Sequence, residues 1–212
     1  MSKNANITAC IPALNEEKTI ARVINGLKPF FKKIVVFDNN SDDTTAEVSR
    51  SLGAKVIRVV ERGKGRVMKA IFSYCKSKKT DLFFVDADDT YSLDNLDEII
   101  RGFKDCDMII CTRRKRFMKK THAIANYLVS LAAGRKVRDI CSGMRLLKYS
   151  AICKIKLRYN DFRTETEMTL KALQNNLKIK EVEVDYHERR ESKSKLCFFR
   201  DGIKIFGLAI AG

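Results

Sequence analysis

The run Asp86-Ala87-Asp88-Asp89 has the residue types and the spacing to hold a divalent cation. Aspartate carboxylates are hard oxygen ligands of the kind that Mg²⁺ and Mn²⁺ prefer, and such a cation in turn binds a diphosphate. The apolar run Leu82-Phe83-Phe84-Val85 comes directly before the aspartates and is typical of a buried parallel strand. A second interpretation stays open at this point, in which the aspartates only form a turn or a helix cap.

Three further polar segments each follow a short β-branched run that predicts a strand. They are residues 12–16 after the run 7–11, residues 38–44 after 34–37, and residues 61–66 after 56–60. Ligands of open α/β sheets bind at the carboxyl ends of the strands, so four polar loops at one edge predict a shared binding cleft. In that cleft the acidic groups would accept hydrogen bonds from the base and from the ribose hydroxyls. Lys64 and the Gly63 and Gly65 amides would face phosphates.

The order of the elements predicts the fold that positions these loops. Short β-branched runs alternate with helical patterns that begin near residues 16, 44 and 66, which is typical of βαβ units. Further strands are predicted at 82–85, 108–111 and 179–186, and further helices around 96–103, 122–133 and 165–174. Two helix starts have the spacing of capping boxes, Thr44 with Glu47 and Thr164 with Glu167. We therefore expect an α/β fold with a mostly parallel sheet flanked by helices.

Composition limits the classes of partner and chemistry. The 212 residues are 45% apolar, and 42 Lys and Arg against 26 Asp and Glu give a net charge of +16. That charge favours polyanionic partners, which are nucleic acid, anionic lipid headgroups or phosphorylated substrates. The seven cysteines form no CxxC pair and have no histidine at zinc-ligand spacing, which indicates reduced cytosolic thiols. The sequence also lacks GxxxxGK[ST] and a GxGxxG after its first strand, which argues against a P-loop ATPase and a dinucleotide enzyme.

The last residues of the chain predict a contact with a membrane surface. Residues 198–212 become more apolar toward the end and directly follow the basic run 189–195, as in an interfacial helix with a cationic flank. We therefore expect a catalytic domain at 1–197 with a basic C-terminal loop, and an amphipathic helical segment at 198–212. A terminal helix packed on the core, or the start of a longer membrane segment, stays open. The first residues lack the apolar core of a signal peptide, and no stretch of about 20 apolar residues predicts a spanning helix.

Six motifs, in order along nearly the whole chain, resemble those of the family 2 inverting glycosyltransferases with the GT-A (Rossmann-like) fold. Within that family the resemblance is to the polyprenol (dolichyl) phosphate mannose synthase-like group. The motifs are Ile11-Pro12-Ala13-Leu14-Asn15-Glu16, Asp38-Asn39-Asn40-Ser41-Asp42-Asp43-Thr44, the DxD Asp86-Ala87-Asp88, Asp139-Ile140-Cys141-Ser142-Gly143-Met144-Arg145, Phe162-Arg163-Thr164-Glu165-Thr166-Glu167, and Arg189 followed by Ser194-Lys195-Leu196.

The resemblance implies a role for each matching position. Asp86 and Asp88 are expected to bind Mg²⁺ or Mn²⁺ together with the diphosphate. The nucleotide-sugar site is expected to comprise Pro12, Asn15, Glu16, Asp38, Asn40, Lys64, Asp86, Ala87 and Asp88. The acceptor site is expected to comprise Arg145, Glu165, Arg189, Ser194 and Lys195, and the catalytic residues are expected to be Asp88, Arg145, Arg189 and Lys195. The chain departs from the family pattern at Ser192, where glycine is usual, and at Asp89-Thr90-Tyr91, which replaces the commoner polar-His-Pro sequence.

The implied function is transfer of a hexose from GDP-mannose or UDP-glucose to a polyprenyl (dolichyl) phosphate, with inversion. A lipid monophosphate is largely dianionic at neutral pH, so its attack needs no general base. A hydroxyl acceptor would need one, and Glu165 or Glu167 would be the candidates. We expect a peripheral enzyme on the cytosolic face of an anionic membrane that does not bind nucleic acid, with a separate membrane-anchor protein as a further partner to consider.

Three other functions stay open at the level of the sequence. One is a soluble GT-A glycosyltransferase with a phosphorylated small-molecule acceptor, which keeps the donor and the fold. Another is a catalytically idle relative, which the two departures from the family pattern would explain. The third is a basic nucleic-acid-binding module, which only the net charge of +16 favours.

Overall fold

A computed structural model describes residues 4–114, 120–132, 134 and 136–187. Within them seven strands form one sheet in the order β3-β2-β1-β4-β6-β5-β7. The strands are β1 Asn4–Ala13, β2 Phe31–Asp38, β3 Lys55–Arg58, β4 Asp81–Val85, β5 Met108–Arg113, β6 Met144–Leu147 and β7 Ile179–Val184. Only β6 among them runs antiparallel to its two neighbours, β4 and β5. The prediction of a mostly parallel α/β sheet is confirmed.

Helices cover both faces of the sheet. They are α1 Ile20–Leu27, α2 Thr45–Ser51, α3 Lys64–Lys78, α4 Leu96–Gly102, α5 Lys120–Ala132, α6 Tyr149–Lys154 and α7 Thr164–Gln174. Ile24 of α1 shares one core cluster with Phe83, whereas Ile71 of α3 shares the other cluster with Phe84. Successive side chains of a strand point to opposite faces, so β4 needs apolar residues on both sides. This packing explains the uninterrupted apolar run that precedes the aspartates.

The first strand extends farther than the sequence indicated. Pro12 lies within β1 and not in the loop after it, in register with Phe37 of β2. Pairing of β1 with β4 ends at Cys10, before the proline is reached. Because proline has no N–H to donate, it fits this end of the strand, where the ladder on the β4 side has stopped.

The sequence analysis missed two short elements and made one wrong prediction about local structure. Strand β6 and helix α6 were not predicted, because each is only four to six residues long and lacks a clear period. The capping boxes are wrong as well, since neither α2 nor α7 has a side-chain cap at its start. The Thr44 hydroxyl donates to Glu17 at 2.7 Å, and the Glu167 carboxylate accepts the backbone N–H of Arg158 at 2.8 Å. The predicted helix starts are nevertheless within one residue of α2 and α7.

Candidate active site

The polar loops that follow β1, β2, β3 and β4 meet at one edge of the sheet and are joined by hydrogen bonds. Asp42 N–H donates to Asn15 Oδ1 at 2.8 Å, which links the first two loops. The Asn39 amide group links the second loop to the third, because it donates to the Glu61 carbonyl at 2.8 Å and accepts the Gly63 N–H at 2.7 Å. The ammonium of Lys64 contacts the Asp86 carboxylate and so links the third loop to the fourth. The four loops that were predicted to share a binding site therefore form a connected set at one edge of the sheet.

On the β1 and β2 side, the residues expected to hold the nucleoside lie close together. The Asp38 carboxylate is almost fully buried and accepts the Ser41 N–H at 3.3 Å. Asn15 has a positive φ of 50° and Asn40 one of 60°, a backbone region that asparagine tolerates better than most residues. The Asn15 N–H donates to the hydroxyl of Ser41 at 2.9 Å, which ties the two turns together. These contacts give the loops a fixed shape, with Asn40 and Asp42 on the open side.

Glu16 and Ala87 are positioned by helix α1. The Thr19 hydroxyl lies within hydrogen-bond distance of both, at 3.2 Å from the Glu16 carboxylate and 2.7 Å from the Ala87 carbonyl. Glu16 is 5% exposed, and its N–H donates to the Thr45 hydroxyl at 2.8 Å. Both residues are buried, and the contacts of Thr19 hold the Asp86-Ala87-Asp88 run against the first loop.

Two arginines that the sequence analysis did not single out complete the open side of the second loop. The guanidinium of Arg58 donates to Asn40 Oδ1, and that of Arg62 donates to the Asn40 carbonyl at 2.8 Å and contacts the Asp42 carboxylate. The Arg62 contact lowers the pKa of the exposed Asp42 carboxyl below its usual value. Arg58 is the last residue of β3 and Arg62 lies between β3 and Lys64, and this position at the carboxyl end of a strand is the signal that could have identified both.

Lys64 forms a partly shielded charge cluster with two carboxylates. Its ammonium contacts Asp86 directly and lies 3.6 Å from Glu165 Oε1, and the Lys64 side chain is only 15% exposed. Burial alone would lower the pKa of Lys64, but the charges of Asp86, Glu165 and Asp88 outweigh it and raise that pKa. Burial also raises the pKa of Glu165, and the Lys64 charge opposes that rise. The cluster brings together one residue from each of α3, the loop after β4, and α7.

The loop that carries Asp88 pairs with the end of β7. The Thr90 hydroxyl donates to Asp88 Oδ1 at 2.6 Å, and the Thr90 carbonyl accepts the His187 N–H at 2.7 Å. Ser92 N–H also donates to the Asp185 carbonyl at 2.9 Å, and the ring of Tyr186 packs edge-on against Tyr91. The described chain therefore ends at residue 187 beside the loop of the DxD motif.

Tyr91 and Gly143 hold the DxD from the other side. The Gly143 N–H donates to the Tyr91 hydroxyl at 2.8 Å, and the Gly143 carbonyl accepts the Asp86 N–H at 3.0 Å. A Cβ at Gly143 would overlap the Asp86 carboxylate, so any other residue here would have to displace that side chain. Tyr91 was noted in the sequence only as a departure from the family pattern, yet it helps to position Asp86.

Arg145 does not face the cleft, which corrects the expectation that it contacts a phosphate. The side chain is fully buried, and its guanidinium donates to three backbone carbonyls and one hydroxyl. The acceptors are the carbonyls of Ile140 (2.6 Å), Ser142 (3.0 Å) and Glu165 (3.0 Å), and the hydroxyl of Thr169 (2.9 Å). A buried arginine with its donors used in this way joins the 139–145 segment to α7 and is a positioning residue.

The two glycine amides beside Lys64 are also not directed at a phosphate. Gly63 N–H donates to Asn39, and Gly65 N–H donates to the Asn160 carbonyl at 3.1 Å. The backbone of residues 159–160 lies so close to Gly65 that any Cβ there would clash with it. The Gly-Lys-Gly sequence thus allows close packing of α3 against the segment before α7, and this packing places the Lys64 ammonium in the cleft.

Some predicted positions fall outside the described residues. Arg189, Ser194 and Lys195, and the segment 198–212, belong to this group. Within the described ranges, no helix has the length and apolar character to cross a membrane. The division into 1–197 and 198–212 stays a prediction.

The donors at Asp86 and Asp88 fit a divalent cation that is shared with a diphosphate. In the described part of the chain, no three His, Cys, Asp or Glu side chains form a metal site on their own. Mg²⁺ is commonly held by one or two carboxylates together with substrate phosphates and waters, so two aspartates suffice when a diphosphate supplies further oxygens. Lys64 contacts the same Asp86 carboxylate that the cation would use.

The sheet order, the aspartates after β4 and the antiparallel β6 define a GT-A glycosyltransferase fold. Residues 8–162 match the model of the glycosyl transferase family 2, and the chain belongs to that family. RfbJ of Shigella flexneri is 38% identical over 127 residues, which cover 58% of this chain and 96% of RfbJ. A dolichyl-phosphate hexose transferase of Haloferax volcanii is 26% identical over 201 residues, covering 90% of this chain and 86% of that protein. Glucosyl-3-phosphoglycerate synthase of Mycobacterium tuberculosis, crystallised with Mn²⁺, UDP and glucosyl-3-phosphoglycerate, superposes with a TM-score of 0.77 at 17% identity, covering 98% of this chain and 78% of that one.

Proposed function

We propose that this glycosyltransferase moves a hexose, with inversion, from a nucleoside diphosphate sugar to a polyprenyl phosphate at the cytosolic face of a membrane. The observation that carries the donor half of the proposal is the meeting of Asp86, Asp88 and Lys64 at the carboxyl end of β4. Carboxylates for a cation and an ammonium for a phosphate are the groups that a leaving nucleoside diphosphate requires. GDP-mannose and UDP-glucose are the donors to test first.

In this proposal Asp86 and Asp88 hold Mg²⁺ or Mn²⁺, which supplies Lewis-acid stabilisation to the leaving diphosphate when it is bound. Crystals of the mycobacterial synthase contain Mn²⁺ in one case and Mg²⁺ in another, each with UDP, which supports the choice of these two cations. The protein's own part is to orient the donor. Asp38 and Asn40 would bind the nucleoside, and the Lys64 ammonium beside Asp86 would donate to a phosphate oxygen of the donor.

The acceptor is proposed to be a phosphate because the two carboxylates named as candidate general bases for a hydroxyl acceptor, Glu165 and Glu167, are both engaged by other groups. Glu165 is 6% exposed and faces the Lys64 ammonium at 3.6 Å, and the Glu167 carboxylate is occupied by the backbone N–H groups of Arg158 and Tyr159. A phosphomonoester arrives already ionised at neutral pH, so it needs positive charge and alignment and no proton acceptor. The sequence relative named for a dolichyl-phosphate acceptor also spans most of this chain.

Arg189, Ser194 and Lys195 are proposed to bind the acceptor's phosphate. They follow His187 within eight residues, and His187 N–H donates to the Thr90 carbonyl beside the DxD at 2.7 Å. Eight residues span up to about 28 Å when extended, so these side chains are within reach of the site. Arg189→Ala is expected to lower kcat/KM for the acceptor by roughly 30- to 1000-fold, by analogy with the loss of one charge-stabilising donor. Unchanged acceptor kinetics would place Arg189 outside the site.

A second candidate function keeps the donor and replaces the acceptor with a phosphorylated small acid. It is favoured by the structural likeness to a synthase whose crystals hold glucosyl-3-phosphoglycerate. A two-way panel separates the candidates, with UDP-glucose and GDP-mannose as donors and a short-chain polyprenyl phosphate and 3-phosphoglycerate as acceptors. Sugar transfer to the polyprenyl phosphate alone supports the proposal. Transfer to 3-phosphoglycerate alone supports the second candidate, and absence of any nucleoside diphosphate release with Mg²⁺ or Mn²⁺ contradicts both.

A further inference from the structure

Helix α5, Lys120–Ala132, presents a row of large apolar side chains to solvent. Ile124 is 54% exposed, Tyr127 68% and Leu131 69%. Their spacing of three and four residues places them on one face of the helix. Apart from Val60, they are the only large apolar residues with this degree of exposure among those whose side chains the structure describes.

The opposite face of α5 is anchored to the domain. Asn126 accepts the Ile140 N–H at 3.0 Å, and Ser130 accepts the Val137 N–H at 2.9 Å. Val129 is fully buried in a small apolar cluster with Ile140. Helix α5 therefore already packs on the domain through its inner face, and the outward row is a second apolar face.

The sequence around the row is strongly basic. Residues 113–138 carry nine Lys and Arg and no Asp or Glu, out of a net charge of +16 for the chain. Arg113 and Arg114 pair with carboxylates inside the domain, Arg113 with Asp139 at 2.7 Å. Even without these two, the segment carries seven basic side chains. A surface helix with an apolar face and cationic flanks is the pattern of an interfacial membrane helix.

We propose that the face of α5 formed by Ile124, Tyr127 and Leu131 docks on an anionic lipid surface. Charge complementarity selects this occupant. A second copy of the chain would bring an equally basic segment against this one, and residues 198–212 carry two basic residues against one acidic residue. An anionic bilayer offers both negative headgroups for the flanks and an apolar interior for the row, with the tyrosine ring at the headgroup level.

A membrane contact through α5 would serve the proposed function, and this inference rests on that proposed function. The helix is followed by residues 136–143, and Gly143 packs against the Asp86 carboxylate. Docking through α5 would hold the domain at the bilayer surface, where the phosphate of a polyprenyl phosphate lies.

The test is co-sedimentation of the full chain with vesicles of phosphatidylcholine that contain 30% phosphatidylglycerol, compared with phosphatidylcholine alone. The triple variant Ile124→Ser/Tyr127→Ser/Leu131→Ser is expected to bind the anionic vesicles at least tenfold more weakly than the unaltered chain. Val60→Ser is the matched control, because Val60 is 71% exposed but lies outside α5, and it should bind as the unaltered chain does. Higher salt should weaken binding of the unaltered chain.

Three results would overturn the inference: equal vesicle binding by the triple variant, equal loss with Val60→Ser, or a dimer in sedimentation velocity that the triple variant converts to a monomer. Binding that disappears only when residues 198–212 are removed would assign the contact to that segment instead. The proposed function is tested separately by transfer to a water-soluble short-chain polyprenyl phosphate without vesicles. The triple variant should retain that activity, and vesicle binding without any transfer would remove the proposed function while the docking face stands.

Discussion

The site is built from two regions whose internal contacts differ. The parallel half consists of the loops after β1, β2, β3 and β4, where neighbouring loops are joined by side chains such as Asn15, Asn39 and Lys64. The mixed half consists of the 139–145 segment, β6, the start of α7 and the end of β7, where Arg145 and Asp139 are fully buried. In the first half several charged side chains, among them Asp42, Arg62 and Asp86, stay partly exposed. In the second half Arg145 and Asp139 make hydrogen bonds to other groups of the protein. A charged residue in a motif is therefore not by itself a ligand of the substrate.

Asp88→Ala tests the parallel half with the largest expected effect. Loss of one of two carboxylates for the cation should lower kcat by at least about 1000-fold, roughly 4 kcal/mol, while the thermal midpoint changes little. Release of nucleoside diphosphate in the presence of Mn²⁺ measures it. Asp89→Asn is the matched control, because Asp89 pairs with the exposed Arg22 at 2.6 Å and asparagine tolerates its φ of 59°. Near-full activity of Asp88→Ala would remove the metal assignment.

Arg145→Lys tests the mixed half, where the expected effect is on stability. The lysine ammonium cannot reproduce the planar guanidinium of Arg145, which donates to three carbonyls and to the Thr169 hydroxyl. Some of these buried acceptors would therefore lose their hydrogen-bond donor. The free energy of unfolding in urea should fall by about 3 kcal/mol. Arg50→Lys, at an exposed ion pair with Glu47, should change it by less than about 0.5 kcal/mol. A stable Arg145→Lys variant with a raised KM for the acceptor would instead return Arg145 to the role of a phosphate ligand.

The same contrast explains what could be predicted from the sequence. The parallel half was predictable because strand periodicity locates each loop, and parallel strands bring their carboxyl ends to the same edge. Pro12 was misplaced by one or two residues only, since β1 continues to Ala13.

The mixed half was not predictable, because its contacts join segments that are far apart in the sequence. Arg145 and Gly143 were correctly grouped in one motif, but nothing in that motif says which of them packs on Asp86 and which on α7. The four-residue β6 has no period long enough to detect, and its antiparallel pairing decides where both residues lie. The exposed row on α5 was missed for a related reason, since a helix with two apolar faces has a weak periodic signal.

Gly143→Ala tests the contact between the two halves, because Gly143 of the mixed half lies against Asp86 of the parallel half. The added Cβ would overlap the Asp86 carboxylate and displace it, although the backbone at this position needs no positive φ. A displaced metal ligand should lower kcat by about 100-fold. Gly102→Ala is the matched control, because its Cβ would meet only the flexible end of the Lys180 side chain. If Gly143→Ala kept its full rate with Mn²⁺, the contact between the halves would not be needed to position Asp86.

Lys64→Met gives the smallest expected effect, and the size of its effect on the free energy of unfolding depends on pH. Burial raises the pKa of Glu165 and the Lys64 charge opposes that rise, so removal of the charge raises the pKa further. A carboxyl whose pKa is raised by folding destabilises the protein as pH increases from its unfolded value, near 4.3, through its folded value. The deficit of the variant in free energy of unfolding should therefore grow between pH 5 and pH 7.5 in metal-free buffer, by about 1.4 kcal/mol for each unit of added shift.

Lys69→Met is the control for that experiment, because Lys69 lies on the same helix but donates to the Arg158 carbonyl at 2.6 Å and to the Asn160 side-chain oxygen at 2.7 Å. Neither acceptor titrates, so its deficit should be the same at both pH values. Parallel pH profiles for the unaltered chain and Lys64→Met would mean that Glu165 does not sense the Lys64 charge. The cleft would then be less coupled to α7 than the 3.6 Å separation implies, and the mixed half would contribute only its backbone to the site.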